Sequence, residues 1–401
     1  MTTTASAHPH LLQNYARAPL TIVRGEGCEV IDDQGRRYLD FVAGIAVCSL
    51  GHAHPRITAA IAEQAATLVQ CSNLYNHEPA GQLATALAER SGLARVFFCN
   101  SGAEANEAAI KLARKFAFRN GDTQRRTILT CSGSFHGRTM GALTATANPK
   151  YQEGFDPLPG GFRYTSFNDL TGLEADLTSD VAAFLIEPVQ GESGIFAASR
   201  EYLELARRLC DERGALLIFD EIQCGMGRLG SLFAFETVGV RPDAVTLAKA
   251  LANGLPIGAL LMNERCADAL RPGDHGTTFG GSPVPCAAAL AHLELRDEID
   301  LDAHVRRTGD FLKQELTSIA ATYPTHFGAP RGQGLMLGLP VAAPYLASDF
   351  VSTGFAHGLL LNAAGANTLR FVPALIITEE QISIGMARLR TVIEAIDKAT
   401  G

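Results

Sequence analysis

Ala215-Leu-Leu-Ile-Phe-Asp220-Glu221-Ile222-Gln223 decides the fold: an unbroken apolar run ends abruptly in two carboxylates. A run with no polar alternation has no solvent face. It reads as a strand covered on both sides in a parallel sheet, delivering its acids to the carboxyl edge. Downstream, Thr246-Leu-Ala-Lys249-Ala-Leu-Ala-Asn-Gly254 sets one lysine among small apolar residues. An ammonium ion is poorly solvated there, so the pKa falls and the amine becomes a nucleophile toward an aldehyde. Taken singly, the acids also fit a plain strand end, and the lysine a side chain that snorkels to the surface.

A third segment narrows the choice. Phe97-Phe-Cys-Asn100-Ser101-Gly102-Ala103-Glu104 runs an apolar strand into a capping box formed by Ser101 and Glu104. Ala105, Ala108, Ala109, Leu112, Ala113 and Phe116 then recur at helical spacing as far as Asn120-Gly121. Strand, small residues and helix N-terminus together make a seat for a phosphate. The set predicts pyridoxal phosphate, with Lys249 holding it as a Schiff base and Asp220 facing its pyridinium nitrogen.

Five motifs carry a resemblance: Asn100-Ser-Gly-Ala-Glu-Ala-Asn-Glu-Ala108, Ser134-Phe-His-Gly-Arg138, Glu187-Pro-Val-Gln-Gly-Glu192, Asp220-Glu-Ile-Gln-Cys-Gly-Met-Gly-Arg228 and Thr246-Leu-Ala-Lys249. From about Tyr15 to the C-terminus the chain resembles class III aminotransferases of fold type I, and among these the acetylornithine aminotransferases of arginine biosynthesis. The resemblance implies an α/β fold with a mostly parallel, helix-covered central sheet and a smaller α+β domain built from both chain ends. It implies an N-terminal segment 1–60, a large cofactor-binding domain 61–295 and a C-terminal small domain 296–401.

It also implies roles. Ser101, Gly102 and Ala103 would hold the cofactor phosphate, Phe135 and Ile222 would flank its ring, and Gln223 would bond its phenolic oxygen. Arg138 would grip the donor's α-carboxylate and Arg370 would grip 2-oxoglutarate. Planar guanidinium suits bidentate carboxylate binding. Glu192 would pair with Arg370 when no acidic cosubstrate is bound, Tyr15 would line the substrate pocket, and Glu187 matches a neighbouring acid of the family. Gly276-Thr-Thr278-Phe-Gly-Gly resembles the loop whose threonine reaches across a homodimer interface to the partner's cofactor phosphate. The implied reaction joins N-acetylornithine and 2-oxoglutarate. Succinylornithine, N-acetyl-lysine, ornithine and 4-aminobutyrate are alternative donors, and an aminomutase or racemase is a different reaction for the same scaffold. The chain departs from the family at Ser282, where asparagine is common, and at Leu229, in place of a small polar residue.

Bulk properties agree. The chain has 401 residues, 47% of them hydrophobic, enough for a sizeable core in more than one lobe. A net charge of −8 offers no basic footprint for nucleic acid. Nine dispersed cysteines without a Cys-x-x-Cys pair read as reduced thiols of a cytoplasmic protein. Met1-Thr-Thr-Thr-Ala-Ser-Ala-His8 lacks the basic-then-apolar order of a signal peptide, and no apolar stretch reaches membrane-spanning length. Strands are expected at Thr21–Val23, Glu29–Ile31 and Arg37–Phe41, then at Val96–Cys99, Thr127–Thr130, Ala182–Ile186, Leu216–Phe219 and Ala244–Thr246. Two more are expected at Gly334–Leu339 and Thr368–Phe371, and a helix over Arg200–Glu212. Gly225-Met-Gly227-Arg-Leu-Gly230 matches a dinucleotide fingerprint, but no helix with a suitably placed acid follows it. His52-Ala-His54 lacks a third ligand at useful spacing, which leaves no metal site in the expectation.

Overall fold

A computed structural model of the chain describes residues 10–400. The segment read for a signal peptide lies outside the described residues. The apolar runs assemble one seven-stranded sheet. Across it the order is Arg95–Cys99, Gly258–Met262, Ala244–Leu247, Leu216–Asp220, Val181–Ile186, Thr127–Cys131 and Phe162–Thr165. Every residue of Val181–Ile186, Leu216–Asp220, Ala244–Leu247 and Gly258–Met262 is buried, the physical reason these stretches show no polar alternation.

Two strands of this sheet were not in the sequence-based expectation. Phe162–Thr165 is a partly exposed edge strand. Gly258–Met262 runs antiparallel to both neighbours. It follows Ala244–Leu247 through a short connection holding one 3-10 turn, and a parallel return would need a longer crossover. Two antiparallel steps restore Arg95–Cys99 to the common direction. The carboxyl ends of six strands therefore emerge at one edge, beside the start of Gly258–Met262.

Helices cover the sheet. Gly102–Arg119 buries the predicted stripe from Ala105 to Phe116, together with one polar residue, Asn106. Arg200–Arg213 ends at Gly214, whose φ of +73° favours a residue without a Cβ. Seven of the nine cysteines are buried and all are free. No helix among the described residues is long and apolar enough to cross a membrane.

Outside the central sheet lie a two-stranded ribbon, Val189–Gln190 with Phe196–Ala197, and two four-stranded sheets. Ile22–Glu26, Glu29–Asp32 and Arg37–Asp40 form an antiparallel set to which Leu359–Leu360 adds in parallel. Distant parts of the chain thus share one sheet. Arg331–Gln333, Met336–Pro340, Thr368–Phe371 and Asn362–Ala364 form the other, wholly antiparallel. The strand expected over Gly334–Leu339 begins instead at Met336, because Gly334 turns the chain at a φ of +56°.

The Gly-x-Gly-x-x-Gly stretch makes turns rather than a nucleotide-binding elbow. Its Arg228 is buried and donates to the carbonyls of Leu335 (3.1 Å) and Pro373. Leu229 packs with Val189, Ile195, Met336 and Val372, an apolar setting that suits leucine at this departure. Ser282 donates to Phe279 O at 2.8 Å and accepts from Gln70 Nε2 at 3.2 Å.

Candidate active site

The strand ends converge on a cavity of about 390 Å³. Ser101–Ala103 follow Arg95–Cys99 into its wall, Phe135–Arg138 follow Thr127–Cys131, and Glu187 follows Val181–Ile186. Asp220, Ile222 and Gln223 come from the strand that opened the sequence reading, and Lys249 from its neighbour. Ligand sites of open α/β sheets form at this carboxyl edge.

Asp220 lies at the floor, 3% exposed. One carboxylate oxygen faces Asn106 Nδ2 and His136 Nδ1, each at 2.7 Å, and the other accepts from Ile222 N at 3.0 Å. Asn106 is itself fixed: its amide donates to His136 O at 2.7 Å and accepts from Thr246 Oγ1 at 2.9 Å. Glu221, next in sequence, faces the other way. Its two oxygens cap the helix Ala234–Val238 through Ala234 N (2.6 Å) and Phe235 N (2.8 Å), and burial pushes its carboxyl up to about 8. Of the two adjacent acids, only Asp220 belongs to the cavity.

At the start of the Gly102–Arg119 helix, Ser101 Oγ accepts from Glu104 N at 3.2 Å. The Glu104 carboxylate accepts from Asn100 N at 2.6 Å, one residue before the position a capping box requires. Ser101, Gly102 and Ala103 line the cavity, and among the described residues their backbone N–H groups have no acceptor. Free amides at the positive end of an 18-residue helix form an anion seat. A Cβ on Gly102 would lie 2.8 Å from Ile222 Cδ1, so only glycine lets that side chain approach the seat.

Lys249 occupies the left-handed region with φ +42°, strain of the kind that persists where surrounding structure enforces it. The clamp is visible: Asn253 accepts from Leu50 N at 2.7 Å and donates to Gly51 O at 3.1 Å. Burial lowers the Lys249 pKa and the charge of Arg370 lowers it further, against the opposing pull of Glu192, Asp220 and Glu187. Glu187, whose carboxylate accepts from Phe135 N at 3.0 Å, is held well above the usual carboxylate range by burial and by Asp220.

Two arginines differ sharply. Arg138 is exposed at the rim, stacked 3.9 Å over Tyr151, and forms no ion pair among the described residues. Arg370 is 1% exposed and ion-paired to Glu192. Its guanidinium also donates to Gly191 O (3.2 Å), Gln223 Oε1 (3.1 Å) and Asn362 Oδ1 (2.8 Å from Nε). Gln223 Nε2 returns a bond to Glu192 at 3.2 Å. Burial works against ionised Glu192, but the charge and hydrogen bond of Arg370 outweigh it and hold the carboxyl below its usual range.

The structure therefore gathers Ser101, Gly102, Ala103, Phe135, Arg138, Asp220, Ile222, Gln223 and Lys249 around one cavity, with Glu192 and Arg370 joined to it through Gln223. Tyr15 stands apart, 68% exposed beneath Arg17, and Thr278 is exposed in the 276–281 turn. Asn106, Tyr151 and Asn362 were not singled out from sequence. Asn106 was detectable as a polar residue inside an apolar helical stripe.

The family model described as "Aminotransferase class-III" matches residues 12–393. Acetylornithine aminotransferase of Thermosynechococcus vestitus is 50% identical over 94% of both chains, and that of Methanocaldococcus jannaschii 47% identical over 96% of both. Among solved structures, ornithine aminotransferase from Toxoplasma gondii ME49 superposes with a TM-score of 0.94 at 33% identity, covering 98% of this chain and 94% of that one. N-acetylornithine aminotransferase from Stenotrophomonas maltophilia K279a gives 0.84 at 41%, covering 96% and 98%.

Proposed function

The chain belongs to the class III aminotransferases, pyridoxal-phosphate enzymes, and from that premise we propose that it transfers the terminal amino group of N-acetylornithine to 2-oxoglutarate. The products are N-acetylglutamate 5-semialdehyde and glutamate, a step of arginine biosynthesis. The observation that carries this reading is the buried Arg370 masked by Glu192. The carbon bearing the terminal amine of the donor has no carboxylate, whereas the reacting carbon of 2-oxoglutarate has one. A site that serves both needs a cation beside the reacting carbon that can be neutralised in one half-reaction and exposed in the other. Arg138, unpaired at the rim, suits the distal carboxylate that both substrates possess.

The residues present fit the cofactor: a seat of free amides for the phosphate, an acid on the floor, and an amine with lowered pKa. Pyridoxal phosphate, when bound, supplies the electron sink for breaking the C–H bond of the amine-bearing carbon. Ser101, Gly102 and Ala103 would hold its phosphate, and Asp220, steadied by Asn106 and His136, would face its ring nitrogen. Phe135 and Ile222 would flank the ring and Gln223 its phenolic oxygen. Lys249 would hold the resting cofactor and, once freed, its Nζ would take the proton from the donor's amine-bearing carbon and pass it to the cofactor's carbonyl carbon.

We further place this chain in a cytoplasmic homodimer, with Thr278 reaching the partner's phosphate seat. Supporting this, Leu74, Tyr75 and Phe279 are 84%, 70% and 62% exposed around the Thr278 turn. Asn73 and Gln70 bind that turn's backbone at 2.9 and 3.0 Å, making one apolar surface that needs a cover. The division into 1–60, 61–295 and 296–401 belongs to the same reading.

A coupled assay for glutamate, run with each rival donor, tests the substrate. N-acetylornithine should give the highest kcat/KM. A higher value for 4-aminobutyrate, ornithine, succinylornithine or N-acetyl-lysine replaces it as donor, and turnover without 2-oxoglutarate points to a mutase or racemase.

A further inference from the structure

We infer that Asn362 is a positioning residue that locks one edge of Arg370 and keeps the guanidinium in place when Glu192 leaves it. The inference rests on the proposed role of Arg370 in receiving 2-oxoglutarate.

The small antiparallel sheet sets Asn362 directly opposite Arg370, where cross-strand side chains share a face. On the other flank the opposite residue is Gly338, which has no side chain to contribute. Asn362 Oδ1 accepts from both Nε, at 2.8 Å, and Nη2. One acceptor across that edge opposes rotation of the guanidinium.

Counting hydrogens shows which partner can leave. Nη1 carries two hydrogens and faces three acceptors: Gly191 O, Gln223 Oε1 and a Glu192 oxygen. Removal of Glu192 leaves two acceptors for two hydrogens, so no donor on Nη1 is orphaned. Glu192 also reaches solvent where the cation it covers does not, its side chain 25% exposed against 1% for Arg370. Among the described residues its one other side-chain bond is to Gln223. The anchored edge belongs to Asn362, and the exchangeable position belongs to Glu192.

The test uses holoenzyme carrying Asn362→Ala or Asn362→Leu, the second filling the vacated space without offering an acceptor. Glutarate, an unreactive dicarboxylate, is titrated by calorimetry, and each half-reaction is followed in single turnover. Glutarate and 2-oxoglutarate should bind about tenfold to a hundredfold more weakly, the loss typical of a hydrogen bond to a charged group. The donor half-reaction should stay within about twofold, because the Glu192–Arg370 pair persists. Should neither variant fold, the polar Asn362→Ser, too short to accept from both Nε and Nη2, gives the same selective loss. Equal losses in both half-reactions, or unchanged glutarate binding, overturn the inference. Arg370→Ala, run alongside, separates the two levels. If it spares the 2-oxoglutarate half-reaction, the reading of Arg370 itself fails; if it does not while the Asn362 variants do, only the positioning role fails.

Discussion

Replacing Glu192 by glutamine keeps the size and most of the hydrogen-bonding capacity of the side chain but removes the charge that masks Arg370. The guanidinium would then lie 1% exposed against neutral acceptors alone: Gly191 O, Gln223 and Asn362. Two unit charges about 4 Å apart interact by ~4 kcal/mol at an effective dielectric near 20. Partial exposure of Glu192 screens this to roughly half, ~2 kcal/mol, or a factor of ~30 in an equilibrium. That energy masks the cation in the wild type and must be surrendered whenever 2-oxoglutarate binds. In Glu192→Gln it no longer opposes the dicarboxylate, so 2-oxoglutarate should bind about 30-fold more tightly and inhibit turnover at lower concentration. The donor half-reaction should slow, because a buried cation beside an uncharged reacting carbon has lost its partner. Stopped-flow measurement of each half-reaction, with titration of 2-oxoglutarate into the holoenzyme, gives both numbers. Unchanged 2-oxoglutarate affinity, or an equal fall in both half-reactions, would refute the masking argument.

Other perturbations address the floor, the fold and the assembly. Asn106→Ala removes one of two donors to an Asp220 oxygen and frees His136 O and Thr246 Oγ1; cofactor affinity measured by dialysis should fall about tenfold, and a wild-type value would show that Asn106 only packs. Asp40, bonded to His52 Nε2 at 2.9 Å, and then Cys48 raise the His52 pKa from 6.5 to about 10. Since the folded value exceeds the unfolded one, the stabilisation is complete below pH 6.5 and is lost as pH rises through 10. Urea unfolding should therefore show His52→Asn about 1–2 kcal/mol less stable than wild type at pH 6, with the gap closing by pH 10; a constant gap contradicts the linkage. Thr278→Asp and Lys249→Ala, each inactive alone, should regain up to about half the activity of one wild-type dimer when refolded together, and demonstrated heterodimers without activity would end the shared-site reading.

Sequence and structure part company in instructive places. The apolar runs around Ile218 and Val245 were legible because a strand covered on both faces tolerates nothing polar. Lys249 and Asp220 stood out as charges at the ends of such runs. Glu221 misled by adjacency: successive residues leave a strand on opposite sides, so the second acid caps a helix instead of joining the first. The antiparallel Gly258–Met262 strand was hidden because direction leaves no mark on composition, only on the length of the connection before it. Asn362 was beyond reach for another reason. Its meaning comes from the register that sets it across from Arg370, and no local spacing records which residues two strands will pair.

The antiparallel sheet that carries Arg370 also fixes an order in time. Everything from Ser101 to Met262, including the anion seat, the acid floor and the lysine, precedes that arginine in the chain by at least about a hundred residues, or at least some 5–20 s of synthesis at typical ribosomal rates. During that interval a nascent chain holds the residues for the cofactor while Glu192 still awaits its cation. On the proposed roles, the means of telling the two substrates apart is synthesised after the means of holding the cofactor.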